Sequence, residues 1–307
     1  MARITGDELV EKITSVFVKA MKDDPKNWSK PWQGITAMPH NPQTKTIYSG
    51  INSFWLMLHM EQGDPRFSTY KGWDKIGGQV KKGSDGIPVV YYSNSYVHKT
   101  TGAWYTPKKG QPRVPANVDE YRKVFLAKTY YVFHASQVEG IGEWAKPDLD
   151  LTFTSEDHRA WFKTLDATWE EIPSDQAYYQ PANDKIVTPL DAQFPNLETW
   201  FGTVSHEFAH WTGHQSRLNR EGTKSFGDRK IYAYEELIAE LGATFIAIER
   251  GVEIHPREDH IAYVQSWLKA LDNDPKFIQT AATQAWKAAK FILDNTTEPA
   301  RKKELVA

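Results

Sequence analysis

One pentapeptide, His206-Glu207-Phe208-Ala209-His210, constrains the fold more than any other feature, because it asks for a helix and a metal ion together. It sits in a helical stretch predicted over Leu197 to Thr212. Pro195-Asn196 precedes that stretch, and Gly213 stands where a C-terminal glycine would end it. On a helix, histidines four positions apart stack on one face, so both imidazoles can meet a single divalent ion. Glu207 is offset by one residue. From there its carboxylate can reach a water beside the ion without becoming a ligand, the place of a general base.

The chain has no cysteine, so any metal site must be built from His, Asp and Glu. A metzincin would continue as HExxHxxGxxH. This chain reads His210-Trp211-Thr212-Gly213-His214, with the histidine directly after the glycine, which makes His214 a weak ligand candidate. Downstream, a long helix opens at Tyr232 and ends at Gly251. In gluzincin-type sites a second helix supplies a Glu as third ligand, and an acid four positions later steadies a ligand histidine. Glu236 and Glu240 have that spacing within the apolar surroundings of Leu237, Ile238, Ala239, Leu241 and Ala243. The expected ligands are therefore His206, His210 and Glu236, with Glu240 behind a histidine and Glu235 as the rival of Glu236. The expected ion is Zn2+, with Mn2+ or Co2+ as alternatives. Three ligands leave a fourth position for water, as in a catalytic zinc site, and the chemistry this implies is peptide-bond hydrolysis. Tyr232, Tyr234 and His260 are candidates to hydrogen-bond the developing oxyanion, Tyr234 and His260 being preferred. Short strands are expected at Ala177 to Tyr179 and Lys185 to Pro189, one of them an edge able to pair with an extended protein substrate. Two further helices, Asp259 to Leu271 and Pro275 to Leu293, would back the site.

Net charge conceals an asymmetry. The chain carries 37 basic and 39 acidic residues, but residues 1–135 hold 19 basic against 11 acidic, and residues 136–307 hold 18 against 28. Opposite halves suggest separate tasks. In the basic half, aromatics lie beside cations: Lys30 and Trp32; Tyr70, Lys71 and Trp73; Tyr91, Tyr92 and Lys99; Trp104, Lys108 and Lys109. Lys81 and Lys82 form a basic loop at Gln79 to Gly86. Single-stranded nucleic acid is bound by cationic grooves that track phosphates and by flat side chains on which bases stack. The segments Pro88 to Val97 and Arg122 to Phe133 read as strands, with a turn at His98 to Gly102.

At 307 residues the chain is long for one core. Gly140, Gly142 and Pro147 interrupt the patterns near 140–153. An α+β architecture follows, with a mixed sheet and helix domain over 1–145 that binds nucleic acid and a mainly helical domain over 154–307 that carries the metal. Met1 to Met21 places Leu9, Ile13, Phe17, Ala20 and Met21 on one helical face, unlike a secretory signal. The longest apolar stretches fall far short of the roughly 20 residues of a membrane span. A cytoplasmic protein is expected, with no membrane partner.

The HExxH motif followed by Glu235-Glu236-Leu237-Ile238-Ala239-Glu240-Leu241-Gly242-Ala243 lies behind a domain carrying Tyr48-Ser49-Gly50-Ile51-Asn52 and Phe67-Ser68-Thr69-Tyr70-Lys71. Together these resemble the ArdC family of plasmid-borne antirestriction proteins over nearly the whole chain. The resemblance implies an N-terminal domain that binds single-stranded DNA, with Tyr48 and Asn52 among its contacts, and a C-terminal zincin-like metallopeptidase domain in a bacterial cytoplasm. It also implies a role in shielding incoming plasmid DNA from host restriction during conjugation. Imitation of DNA would need a strongly acidic chain, and a net charge of −2 is not that.

Overall fold

The computed structural model describes residues 4–24, 35, 37–108, 110–145, 153–223, 229–253, 267–269, 271, 274 and 276–298. Helix α1 (Gly6–Asp23) starts where Thr5 and Glu8 cap each other reciprocally, and it buries Leu9, Ile13, Phe17 and Met21 at helical spacing. Two short strands, β1 (His40–Asn41) and β2 (Thr46–Ile47), lead into α2 (Ile51–Met57). Then come β3 (Phe67–Ser68), α3 (Tyr70–Asp74) and β4 (Gln79–Val80). The main feature of this half is a long antiparallel pair, β5 (Ile87–His98) and β6 (Tyr121–His134), in register from Ile87 opposite Val132 to His98 opposite Tyr121. Its boundaries lie within one residue of the segments that the β-branched and aromatic runs predict. β3 extends the sheet beyond β6, and β7 (Val138–Glu139) closes back on β4.

In the second half, α4 (Ser155–Phe162) precedes a three-stranded sheet of β8 (Thr168–Ile172), β9 (Tyr178–Gln180) and β10 (Lys185–Pro189). β10 is central, parallel to β8 and antiparallel to β9, so β9 lies at the sheet's edge. Helix α5 (Leu197–Trp211) is capped by the Asn196 side chain on the Thr199 amide at 2.9 Å, and every residue from Trp200 to Trp211 is buried. Helix α6 (Arg229–Arg250) starts earlier than the sequence pattern predicts and ends at Gly251, whose φ of 67° suits glycine. It packs against α5 and against α7 (Phe277–Asn295). Close approach of α5 and α6 needs Gly242, where an added Cβ would lie 3.1 Å from that of Ala209.

The core runs continuously between the halves: the Phe54 ring of α2 lies 4.7 Å from that of Phe245 in α6 and 6.1 Å from that of Phe17 in α1. Of the predicted helix Asp259 to Leu271, only 267–269 and 271 are described, and these are helical. No helix among the described residues is long and apolar enough to cross a membrane.

Candidate metal centre

The buried length of α5 forces its two histidines inward, and α6 crosses opposite them. Nε2 of His206 and Nε2 of His210 lie 3.1 Å apart. Each is 3.5 Å from a different oxygen of the Glu236 carboxylate. Ligand atoms from all three residues fall within 4.8 Å of one another, and all three residues are buried.

This donor set fits a tetrahedral transition metal. Two nitrogens each about 2.0–2.1 Å from one ion stand about 3.3 Å apart at a tetrahedral angle, close to the spacing seen here. The outer ring nitrogens are also spoken for. Nδ1 of His206 faces Glu240 at 3.5 Å, and Nδ1 of His210 faces Glu235 at 3.4 Å. Carboxylates on those nitrogens hold each imidazole with Nε2 turned to the shared point, the usual support of a metal-binding histidine.

Glu235, the rival for the ligand position, is thus turned away from that point. Its carboxylate is held instead by Arg220, with Nη2 at 2.5 Å and Nε at 3.0 Å. The same guanidinium donates to the Ala209 carbonyl and to Thr212 Oγ1, both at 2.7 Å, and so fastens the end of α5 to the start of α6. Sequence reading missed Arg220, which lies in a loop with no periodicity to mark it. Burial disfavours charge on Glu235, but Arg220 and His210 outweigh it and hold the carboxyl below its ordinary range. Burial likewise opposes charge on His210, yet hydrogen bonds to Glu235 and Glu236 raise it to about 10. Glu236 is driven far below the usual carboxylate range, its burial overcome by His206 and His210.

A cleft of about 450 Å³ opens over the three residues, lined by Glu207, Tyr232 and residues 175–179 on the approach to and along β9. Tyr232 precedes Glu236 by one helical turn and shares its face. Tyr234, preferred from the sequence, is a correction: two positions from Glu236, it points to the opposite side, where its ring meets Phe277 at 5.1 Å and lines a separate cavity. His260 lies outside the described residues. His214 turns to Ser216 and Asp184, away from the cleft.

The nucleic-acid candidates divide. Trp73 is fully buried, its Nε1 donating to the Phe133 carbonyl at 2.9 Å, so it cannot stack a base. Asn52 is committed to the fold: its amide donates to the Val90 carbonyl at 2.7 Å and accepts from the Val90 amide at 3.0 Å. Tyr48 is half-buried and donates to the Phe67 carbonyl at 3.1 Å. These three correct the expectation, and their motifs are joints between helix and sheet. Tyr70 and Trp104 are exposed, as are Lys71, Lys81, Lys82, Lys99 and Lys108, although the Lys81 ammonium donates to the Ser136 carbonyl. Lys30, Trp32, Lys109 and the Tyr92 side chain lie outside the described residues.

The fold and cleft define a zincin-like domain behind a mixed sheet and helix domain, and comparison with known proteins agrees. Residues 156–284 match the family of zincin-like metallopeptidases, and residues 7–133 match the N-terminal domain of anti-restriction factor ArdC. The metal-free crystal structure of the antirestriction ArdC protein from plasmid R388 is 32% identical, with a TM-score of 0.75 over 94% of this chain and 97% of that one. Its Mn(II)-bound structure is 33% identical, with a TM-score of 0.72 and the same coverage. The chain belongs to the ArdC antirestriction family. It is also 34% identical, over 92% of its length, to a DNA primase TraC of Escherichia coli, of which it spans only 20%.

Proposed function

We propose that this chain binds single-stranded DNA and protects incoming plasmid DNA from host restriction during conjugation, acting in the bacterial cytoplasm and carrying a metal-dependent peptidase site. Membership of the ArdC family supports the protective role. The observation that carries the peptidase reading is the convergence of His206, His210 and Glu236 in a cleft that also holds Glu207 and adjoins the edge strand β9.

His206, His210 and Glu236 would hold the ion, zinc by the donor set, with manganese the ion of the similar R388 protein. A divalent cation there would supply Lewis acidity and acidify a water. Glu207 takes the proton of the attacking water on a carboxylate oxygen and passes it to the departing amine nitrogen. Tyr232 is positioned to donate to the carbonyl oxygen as it gains charge. β9 offers backbone groups to an extended peptide, which aligns the scissile bond along the cleft.

Glu207→Gln separates the two activities. The variant should keep its fold and its metal, lose cleavage of an unfolded protein substrate such as casein, and retain single-strand binding in a fluorescence titration. Cleavage undiminished in the variant would remove Glu207, and this peptidase mechanism, from consideration.

A further inference from the structure

Strands β5 and β6 together contain no Asp or Glu, while Arg122, Lys123 and Lys128 lie within them. Residues alternate between the two faces of a strand pair. The register sets Tyr91 opposite Lys128, Val89 opposite Tyr130 and Val97 opposite Arg122, which puts Tyr91, Tyr130, Lys128 and Arg122 on one face. Trp104 joins that face at the far end, bridged to Val97 along the other side of β5.

These side chains are left to solvent. Tyr91, Tyr130 and Trp104 are 49%, 44% and 54% exposed, and Arg122 and Lys128 are exposed as well. The two tyrosine rings stand 6.1 Å apart at 81°, edge to face. Val97 lies six positions along the strand from Tyr91, about 20 Å of sheet. Exposed aromatics grouped on one face mark an interaction site rather than a core. Cations on that face, with no carboxylate from either strand, select a polyanion. A duplex would engage the cations but hides the faces of its bases, leaving the three rings without partners. An unpaired strand offers both phosphates and open base faces.

We propose that single-stranded DNA lies across this face, with bases stacked on Tyr91, Tyr130 and Trp104 and phosphates met by Lys128 and Arg122. The assignment rests on the proposed single-strand binding and gives it a location. It shares Tyr91 and Trp104 with the aromatics that the sequence selects, and adds Tyr130, Lys128 and Arg122.

The test is fluorescence anisotropy of the full chain with a labelled oligothymidine of about 16 nucleotides, over a series of salt concentrations. Tyr91→Ala with Tyr130→Ala, and separately Trp104→Ala, should weaken binding by roughly 5- to 150-fold per lost stack, with the salt slope unchanged. Tyr91→Phe with Tyr130→Phe keeps the rings and should restore affinity. Arg122→Gln with Lys128→Gln should make the slope of log affinity on log salt shallower by about 1.4. A charge-matched control, Lys163→Gln with Lys290→Gln, should behave as wild type, and unfolding temperatures should show that all variants fold. Wild-type binding that every variant retains, slope included, would overturn this location and leave single-strand binding standing. Absence of wild-type binding would defeat the underlying reading and the location with it.

Discussion

The Arg220 guanidinium and the Glu235 carboxylate meet at 2.5 Å in the protein interior, and Glu235 in turn faces Nδ1 of His210. Both charged side chains are almost wholly buried. A chain of contacts therefore runs from the loop after α5, through Glu235, to a histidine of the candidate metal centre. Removing one partner of such a pair leaves an uncompensated buried charge, which costs about 3–5 kcal/mol. Arg220→Met should destabilise the fold by that order in chemical denaturation, and adding Glu235→Gln should recover much of the loss. If Glu235 orients His210, the single variant should also bind metal about 10–100-fold more weakly, a change read by isothermal titration of the metal-free protein.

Loading the site with metal should change how stability depends on pH. In the metal-free chain His210 is raised from 6.5 to about 10. A raised imidazole stabilises the fold fully below pH 6.5, and the contribution is lost as pH climbs toward 10. An ion takes the place of that proton, so metal binding at pH 8 should release it, and apparent affinity should rise with pH across the same window. Isothermal titration in two buffers of different ionisation enthalpy measures the proton. Equal heats in both buffers would contradict the prediction. The loaded chain should not show the alkaline decline, and His206→Ala should remove the metal-dependent rise in unfolding temperature.

The parts of this architecture legible in the sequence are those set by local rules. Asn196 caps the start of α5, and the β-branched and aromatic runs of β5 and β6 are dense enough to mark strands within a residue. Gly213 does follow the helix end, but its φ is not left-handed, and its small size instead admits the Arg220 and Thr223 side chains. Glu236 could be singled out because a carboxylate amid Leu237, Ile238 and Leu241 needs a buried partner. Helical phase also contained the choice between Tyr232 and Tyr234, since only the first sits a full turn from Glu236. Other features depend on contacts distant in the chain. Arg220 acquires its role only when the loop folds back on α6. Asn52 and Trp73 occur among cations and aromatics, and only the packing of α2 and α3 against the sheet shows that they bind backbone. β8 was missed because the adjacent Glu170 and Glu171 break an otherwise alternating Thr168–Ile172.

Acid sensitivity should trace in large part to His158, the most strongly depressed histidine among the described residues; burial also lowers His40 and His59, which add smaller losses in the same direction. His158 is almost completely buried between Phe201 and Phe153, with no hydrogen-bond partner for Nδ1 among the described residues. Burial first, and the nearby Arg250 second, lower it from 6.5 to about 4. The unfolded chain therefore binds a proton between pH 6.5 and 4 that the folded chain refuses. Stability is full above pH 6.5 and falls as pH drops through that window. The depressed carboxylates of Glu235 and Glu236 act only below about 4.5, so the two effects separate on the pH axis. Urea denaturation at pH 7.5 and pH 5 should show a loss in wild type that His158→Phe greatly reduces. An equal loss in both proteins would place the sensitivity elsewhere.

Asn52 offers a direct contrast between a structural and a DNA-binding role. Its side chain substitutes for a missing strand neighbour by pairing with both backbone groups of Val90. Alanine there leaves a buried amide and carbonyl unsatisfied, at about 1–3 kcal/mol. Asn52→Ala should therefore unfold at lower denaturant concentration than wild type with an unchanged denaturant slope. Oligonucleotide affinity, measured where the variant is fully folded, should equal that of wild type, because Asn52 is spent on the sheet. A variant of undiminished stability but weakened single-strand affinity would return Asn52 to the DNA-binding surface, and would require the α2–β5 junction to open when DNA binds.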